Sequence, residues 1–302
     1  MPNTLAHIGI NGLLTRTLIK KSDFFWIYFG TIIPDLPWIF QRVVETFFPS
    51  INGYDLRLFV IVQATLILSI ILSGAIAFIS NSPKKTFLIL SFGSLLHLLL
   101  DSLQIKWANG VHLFAPFNWE LLNFSLFWPE SFPTYILTIA GIIYFIFNWN
   151  NLKLNNIKLK LSFSQLRISF FLFVIYFTLP FGLMQFPLEQ NNHFVQTLSD
   201  YENRTGKPIE LDRKKMKFEE LTKSYFIESI DKSYIKLVGI ETTNAYKISV
   251  KGKFIDNNTI KVTEFHEHII WFRDGASYIG LGFILLTGMI SFKIKNRTIQ
   301  FN

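Results

Sequence analysis

His97 and Asp101 stand four residues apart inside an apolar stretch, SFGSLLHLLLDSL. On a helix that spacing puts both side chains on one face. Ionisable groups in a hydrocarbon setting are costly and persist where they line a site or pair with a partner. An imidazole and a carboxylate so placed begin a metal site. They serve equally as polar glue between helices.

Other candidates follow from residue type and setting. Asp35 lies between two prolines in GTIIPDLPW, a stiff backbone that suits a fixed ligand. The simpler account makes it the amino-terminal cap of a helix over residues 36–47. His112 follows Gly110 in QIKWANGVHLFAPFNW and could fold back over the end of the His97 helix. The simpler account is an interfacial loop with an aromatic belt of Trp107, Phe114, Phe117 and Trp119. His7 sits in the short apolar run LAHIGINGLL, where a lone histidine is ordinarily structural. Glu264, His266 and His268 share one strand face by the period of two, an arrangement that suits zinc but more simply a solvated face. The chain has no Gly-rich phosphate loop, no G-x-S-x-G and no H-E-x-x-H.

The elements that must carry these residues are membrane helices. Half of the chain is hydrophobic, with 33 Phe, 7 Trp and 10 Tyr, which indicates a polytopic membrane protein. With no cysteine, any metal must be held by His, Asp, Glu or water. The net charge of +8 fits basic cytoplasmic loops, and no nucleic-acid partner is expected. The first residues, MPNTLAHIGINGLLTRTLIKK, lack the order of a cleavable signal, so His7 is expected in the mature chain. Five spans are expected: Leu56–Ser80, about Thr86–Leu103, about Tyr135–Trp149, about Ile168–Phe186 and about Ala276–Phe292. Phe24–Phe40 is apolar but broken at Pro34.

Basic residues fix an expected orientation. Lys84 and Lys85, then Lys153, Lys158, Lys160 and Arg167, then Lys293, Lys295 and Arg297 fall on one side of an alternating topology. The positive-inside rule makes that side cytoplasmic, and the Asp101 end faces outward. Lys20 and Lys21 favour an inner start, which would separate His7 from Asp101. The polar stretch 187–275 is an inserted extracytoplasmic domain. Mixed charge predicts helix through about Ser233, and YIKLVGIE, AYKISVKGKFI and TIKVTEFHEHIIWF read as strands with a turn at Asp256-Asn257-Asn258. The fold expected is therefore mainly α: a helical membrane domain (1–186), an inserted α+β or small β-barrel domain (187–275), and a last helix with a basic tail (276–302).

Together, His7, G-x-x-x-P-D (Gly30–Asp35), H-x-x-x-D (His97–Asp101) and G-x(5)-P-F (Gly110–Phe117) resemble the YdjM-type family of bacterial inner-membrane metal-dependent hydrolases. More distantly they resemble the helical zinc-dependent phospholipase C and nuclease P1 group. The resemblance covers about residues 1–120 and does not reach the insert. It implies a divalent ion, zinc or manganese, held by His7, Asp35, His97, Asp101 and His112. Asp35 or Asp101 would act as catalytic base on a phosphodiester or lipid-linked substrate at the outer face of the bilayer. The family usually carries H-R-x-x-T-H-S between the P-D segment and the H-x-x-x-D helix. Here no histidine lies between His7 and His97, and Arg42 and Tyr54-Asp55-Leu56-Arg57 occupy that region. Pro37 also replaces the second acid of a P-D-x-D form. His112 or Asp55 would have to complete the site. The non-enzymatic alternative is a helical anchor that presents the 187–275 domain to a protein, glycan or envelope component, with a degenerate metal site. A transporter is the third reading.

Overall fold

The computed structural model describes residues 3–154, 159, 162–240, 243 and 245–291. Lys158, Lys160, Lys293, Lys295 and Arg297, used above for orientation, lie outside the described residues. The elements run α1 (Thr4–Leu18), α2 (Phe24–Gly30), α3 (Leu36–Phe47), α4 (Gly53–Gln63), α5 (Leu66–Phe78), α6 (Pro83–Ser102), α7 (Phe132–Phe147), α8 (Trp149–Leu154), α9 (Phe163–Leu183), α10 (Gln185–Gln190) and α11 (Val195–Ser199). Then come β1 (Pro208–Glu219), β2 (Ser224–Glu228), β3 (Tyr234–Val238), β4 (Lys247–Asp256), β5 (Thr259–Glu267) and α12 (Ile270–Ser291). The protein is mainly helical with one sheet domain.

Among the described residues, three helices are long and apolar enough to cross a membrane: Pro83–Ser102, Phe163–Leu183 and Trp271–Ser291. α9 shows what drives this, since Phe170 and Phe181 are 71% and 72% exposed and have no protein core to enter. Two expected spans need correction. Leu56–Ser80 is not one rod: α4 and α5 meet at 72° across Ala64-Thr65. The Thr65 hydroxyl donates to the Val62 carbonyl at 2.8 Å, closing α4, and extended Thr65 starts α5. Gln63 and Thr65 mark the bend, but the apolar runs on either side keep the average hydropathy of the segment high, so a hydropathy window passes over it. α7 has 16 residues, about 24 Å of helix against the roughly 30 Å of a hydrocarbon core.

The break at Pro34 is a 3-10 turn over Ile33–Asp35 between α2 and α3. The helical core gathers Ile8, Trp26, Tyr28, Leu68, Leu90 and Phe145, among others. Within it α2 and α6 touch backbone to backbone, because a Cβ on Gly93 would lie 3.1 Å from the Gly30 carbonyl carbon. α1 runs antiparallel to α6. The Lys85 ammonium donates to the Lys21 carbonyl at 2.5 Å at one end, and His7 meets Asp101 at the other.

Residues 208–267 form a closed barrel in the order β1-β2-β3-β5-β4, antiparallel except for β3 with β5. Its core includes Ile209, Leu211, Ile227, Ile235, Phe254 and Ile260. The helix predicted through Ser233 gives way to strand, since β1 and β2 occupy 208–219 and 224–228. The buried residues of β1 begin on a two-residue period at Ile209 and Leu211, which its charges mask. A bulge between Leu211 and Lys214 puts Arg213 at a φ of 51° and re-aims its side chain.

Candidate functional site

His7 on α1, Asp35 at the end of the 3-10 turn, and His97 and Asp101 on α6 converge at one point, all buried. The His97 Nε2 atom lies 3.4 Å from Asp35 Oδ1 and 3.8 Å from Asp101 Oδ2. His7 Nε2 lies 3.4 Å from Asp101 Oδ1. The His7 and His97 rings stack at 3.9 Å, 7° from parallel. The inner start favoured by Lys20 and Lys21 does not separate His7 from Asp101, because antiparallel α1 and α6 put those lysines and Lys85 at the opposite end.

The proton arrangement of His97 decides what the cluster can hold. Its Nδ1 lies 2.5 Å from the Thr31 carbonyl, which only accepts, so Nδ1 carries the proton. When the ring is neutral, as a metal ligand must be, its Nε2 lone pair faces two carboxylates. His97 Nε2, both ring nitrogens of His7 and Asp101 Oδ1 have no hydrogen-bond partner although buried. Buried polar atoms without a partner are costly, and the unprotonated nitrogen of a neutral His7 can join His97 Nε2 and the carboxylates in holding a cation. Ligands of a tetrahedral ion with bonds of about 2.0–2.1 Å stand about 3.3 Å apart, close to the separations here. The nitrogen and oxygen donors fit a divalent first-row ion. The His97–Thr31 bond is the kind of outer contact that orients a metal-ligating imidazole.

Asp35 does not cap α3, since its side chain makes no capping bond and points to His97. Asp55 is exposed and accepts from Asn52 Nδ2 at 2.8 Å at the start of α4, apart from the cluster. His112 stands beside the cluster, and its Nε2 pairs with His193 Nε2 at 3.1 Å. Burial pushes His112 down to about 4. Burial, then His112 and Arg57, hold His193 well below its ordinary value, so both rings are neutral.

One cavity of about 280 Å³ joins these parts. Asp35, His97, Asp101 and Lys106 line it from the helical side, His112 and His193 from the loops, and Arg213 and Lys214 from the barrel. Lys106, which the sequence did not mark, donates to Asp101 Oδ2 at 2.9 Å and is buried. Its only signal was being the single cation in an aromatic loop. Arg57 and Lys214 continue the basic lining, with no carboxylate within 4 Å of either among the described residues. Burial, then the Arg57 charge, lowers Lys214 to about 8.

A second group forms around Glu130, in the loop before α7. His268 Nδ1 lies 3.2 Å from each Glu130 oxygen, His266 Nε2 lies 3.9 Å from Oε2, and Arg213 donates to Oε1 at 2.5 Å. Burial would raise the Glu130 carboxyl, but its contacts with His266 and His268 and the Arg213 charge hold it well below the usual range. Trp128 stacks on His266 at 3.7 Å. The strand-face expectation is corrected here. Glu264 is exposed, His268 lies buried just beyond β5, and the acid they meet is Glu130. Nothing in the local sequence pairs residue 130 with residues 266 and 268, because only closure of the barrel against that loop brings them together.

Comparison of the chain with known protein families, with curated proteins and with solved structures finds no match.

Proposed function

We propose that this protein is a membrane-bound, metal-dependent hydrolase of phosphate esters that acts at the outer face of a bacterial cytoplasmic membrane. The observation that carries the reading is the convergence of buried, unpartnered His and Asp ligand atoms on the floor of a basic cavity. His7, His97, Asp35 and Asp101 would hold a zinc or manganese ion. Such an ion supplies Lewis acidity to a phosphoryl oxygen and eases deprotonation of a neighbouring water. Lys106 fixes Asp101, which leaves Asp35 as the better proton acceptor. Arg57 and Lys214 suit the charge of a phosphate group. The spacing resemblance to the YdjM-type hydrolases points the same way.

Two features favour a lipid-linked substrate. Trp38, Gln41, Arg42 and Glu45 of α3 line the cavity, while Phe40, Val43 and Phe47 of the same helix are exposed. An amphipathic helix with that division suits the membrane interface. Lys21 and Lys85 gather at the end of α1 and α6 away from the cluster. The positive-inside rule makes that end cytoplasmic and the cavity external.

The test is metal content and phosphodiesterase activity of the detergent-purified protein, wild type beside His97→Ala. Zinc or manganese that is lost in the variant together with hydrolysis of a chromogenic phosphodiester supports the reading. Hydrolysis by His97→Ala at the wild-type rate, or a wild type that binds no ion at the helix cluster after metal soaking, refutes it.

A further inference from the structure

The protons around His268 can be assigned one by one. The Ser249 hydroxyl lies 2.9 Å from Asp212 Oδ1, 2.7 Å from His268 Nε2 and 3.0 Å from the Arg213 amide nitrogen. The amide donates to it. Its single proton goes to the Asp212 carboxylate, which only accepts. His268 Nε2 must therefore donate to Ser249. With the ring neutral, as a metal ligand must be, its Nδ1 lone pair faces Glu130, 3.2 Å from both oxygens. His266 Nε2 is also buried and has no hydrogen-bond partner, 3.9 Å from Glu130 Oε2. Two imidazole nitrogens and a carboxylate oxygen, mutually within 4.8 Å, thus face one another. Arg213 engages Oε1 and leaves Oε2 for another cation.

We infer that Glu130, His266 and His268 form a second divalent-metal site, selective for zinc, that clamps the barrel onto the loop between α6 and α7. The donor set of two imidazoles and a carboxylate suits zinc. The Asp212–Ser249–His268 chain fixes the tautomer that leaves Nδ1 free, as outer contacts do for metal-ligating histidines. Trp128 holds the His266 ring by stacking. The clamp has a structural consequence, because the loop it fastens also carries Lys106 and His112 of the cavity. Zinc here would hold the barrel side of that cavity, with Arg213 and Lys214, over the helical side. The inference does not depend on the hydrolase reading.

The test is zinc titration of the chelator-stripped, full-length protein in detergent. Wild type should bind two equivalents, His97→Ala one and His266→Gln one. Ser249→Ala keeps every ligand and loses only the orienting bond, so the retained second site should weaken about 10- to 100-fold. A wild type that binds one ion, kept in His97→Ala and lost in His266→Gln, supports the clamp while defeating the helix-cluster site. Zinc binding unchanged in number and affinity by His266→Gln overturns the clamp, and so does a wild type that binds no zinc. Circular dichroism of His266→Gln separates loss of a ligand from loss of fold. If that variant is misfolded, Ser249→Ala decides, and unchanged zinc affinity there counts against the clamp.

Discussion

Replacing Lys106 by methionine removes the cation that lies 2.9 Å from Asp101 while keeping the length of the side chain. Both partners are buried, at 5% and 8% side-chain exposure. At an effective dielectric of about 20, two charges at that distance attract by about 6 kcal/mol, and breaking one buried pair costs about 3–5 kcal/mol. In the metal-free protein Lys106→Met should therefore be destabilised by about 3–5 kcal/mol. A divalent ion held by Asp101 replaces the lost charge, so most of that cost should vanish in the zinc-bound form. Linkage then requires tighter zinc binding, since about 3 kcal/mol recovered on binding corresponds to a Kd about 100-fold lower. The assay is competitive zinc titration against a chromophoric chelator. It is best done in a His266→Gln background so that only the helix cluster reports, with thermal unfolding in and out of zinc beside it. Unchanged or weaker zinc affinity in Lys106→Met would refute the assignment of Asp101 as a ligand, because a bare carboxylate touching the ion must bind it better than a neutralised one.

A Cβ on Gly141 would lie 1.9 Å from the Leu5 carbonyl oxygen, so Gly141→Val should push α1 off α7. The cost should be at least about 1–3 kcal/mol, with His7 displaced and zinc affinity of the helix cluster reduced. Thermal unfolding and zinc titration together check this. Lys214, lowered to about 8, loses its charge as pH rises through that value. Affinity for a phosphodiester of constant charge should fall between about pH 7 and 9, and in Lys214→Met the dependence should flatten. His112 has a folded value of about 4 against 6.5 when unfolded. The unfolded chain therefore takes up the proton first. Stability is full above 6.5 and falls by about 3 kcal/mol as pH drops toward 4. In His112→Asn, melting temperature measured in chelator should depend less on pH across that window.

The legible parts of the site were those fixed by local geometry. His97 and Asp101 share a face because a helix has 3.6 residues per turn, whatever surrounds it. The interruption before Asp35 followed from Pro34, but the direction of the carboxylate did not. Capping α3 and facing His97 need the same backbone, and only the approach of α2 to α6 at Gly30 and Gly93 selects the second. His7 could not be paired with Asp101 from spacing, since their meeting depends on α1 lying antiparallel to α6. His193 and Glu130 were missed because each acts on a residue from a distant segment, and Lys106 because nothing in the spacing of a loop residue shows that its side chain turns back onto Asp101. In the insert, the β4–β5 hairpin was readable from its alternation and from the Asp256-Asn257-Asn258 turn, which the Asp256 carboxylate closes by accepting from the Asn258 amide at 2.8 Å. β1 was not, because Arg213, Lys214 and Lys215 interrupt its alternation at the bulge.

The two interruptions of the apolar segments have a common physical cause. In a hydrocarbon setting non-helical backbone is tolerated only where it is buried in protein or lines a polar cavity, because its freed N–H and C=O groups have no water to meet. The chain breaks at Pro34-Asp35, before α3, and at Ala64-Thr65, between α4 and α5. Pro34, Asp35 and Ala64 all line the same cavity as His97 and Asp101. A continuous helix at either place would satisfy its backbone internally, and its side chains would fill the volume the cavity occupies. Straightening the second break, by replacing Thr65 with leucine so that the Val62 carbonyl loses its side-chain partner, should therefore narrow the cavity before it disturbs the metal ligands. Zinc binding at the helix cluster should survive while phosphodiester affinity falls. Loss of both together would mean that the bend serves the ligands rather than the cavity.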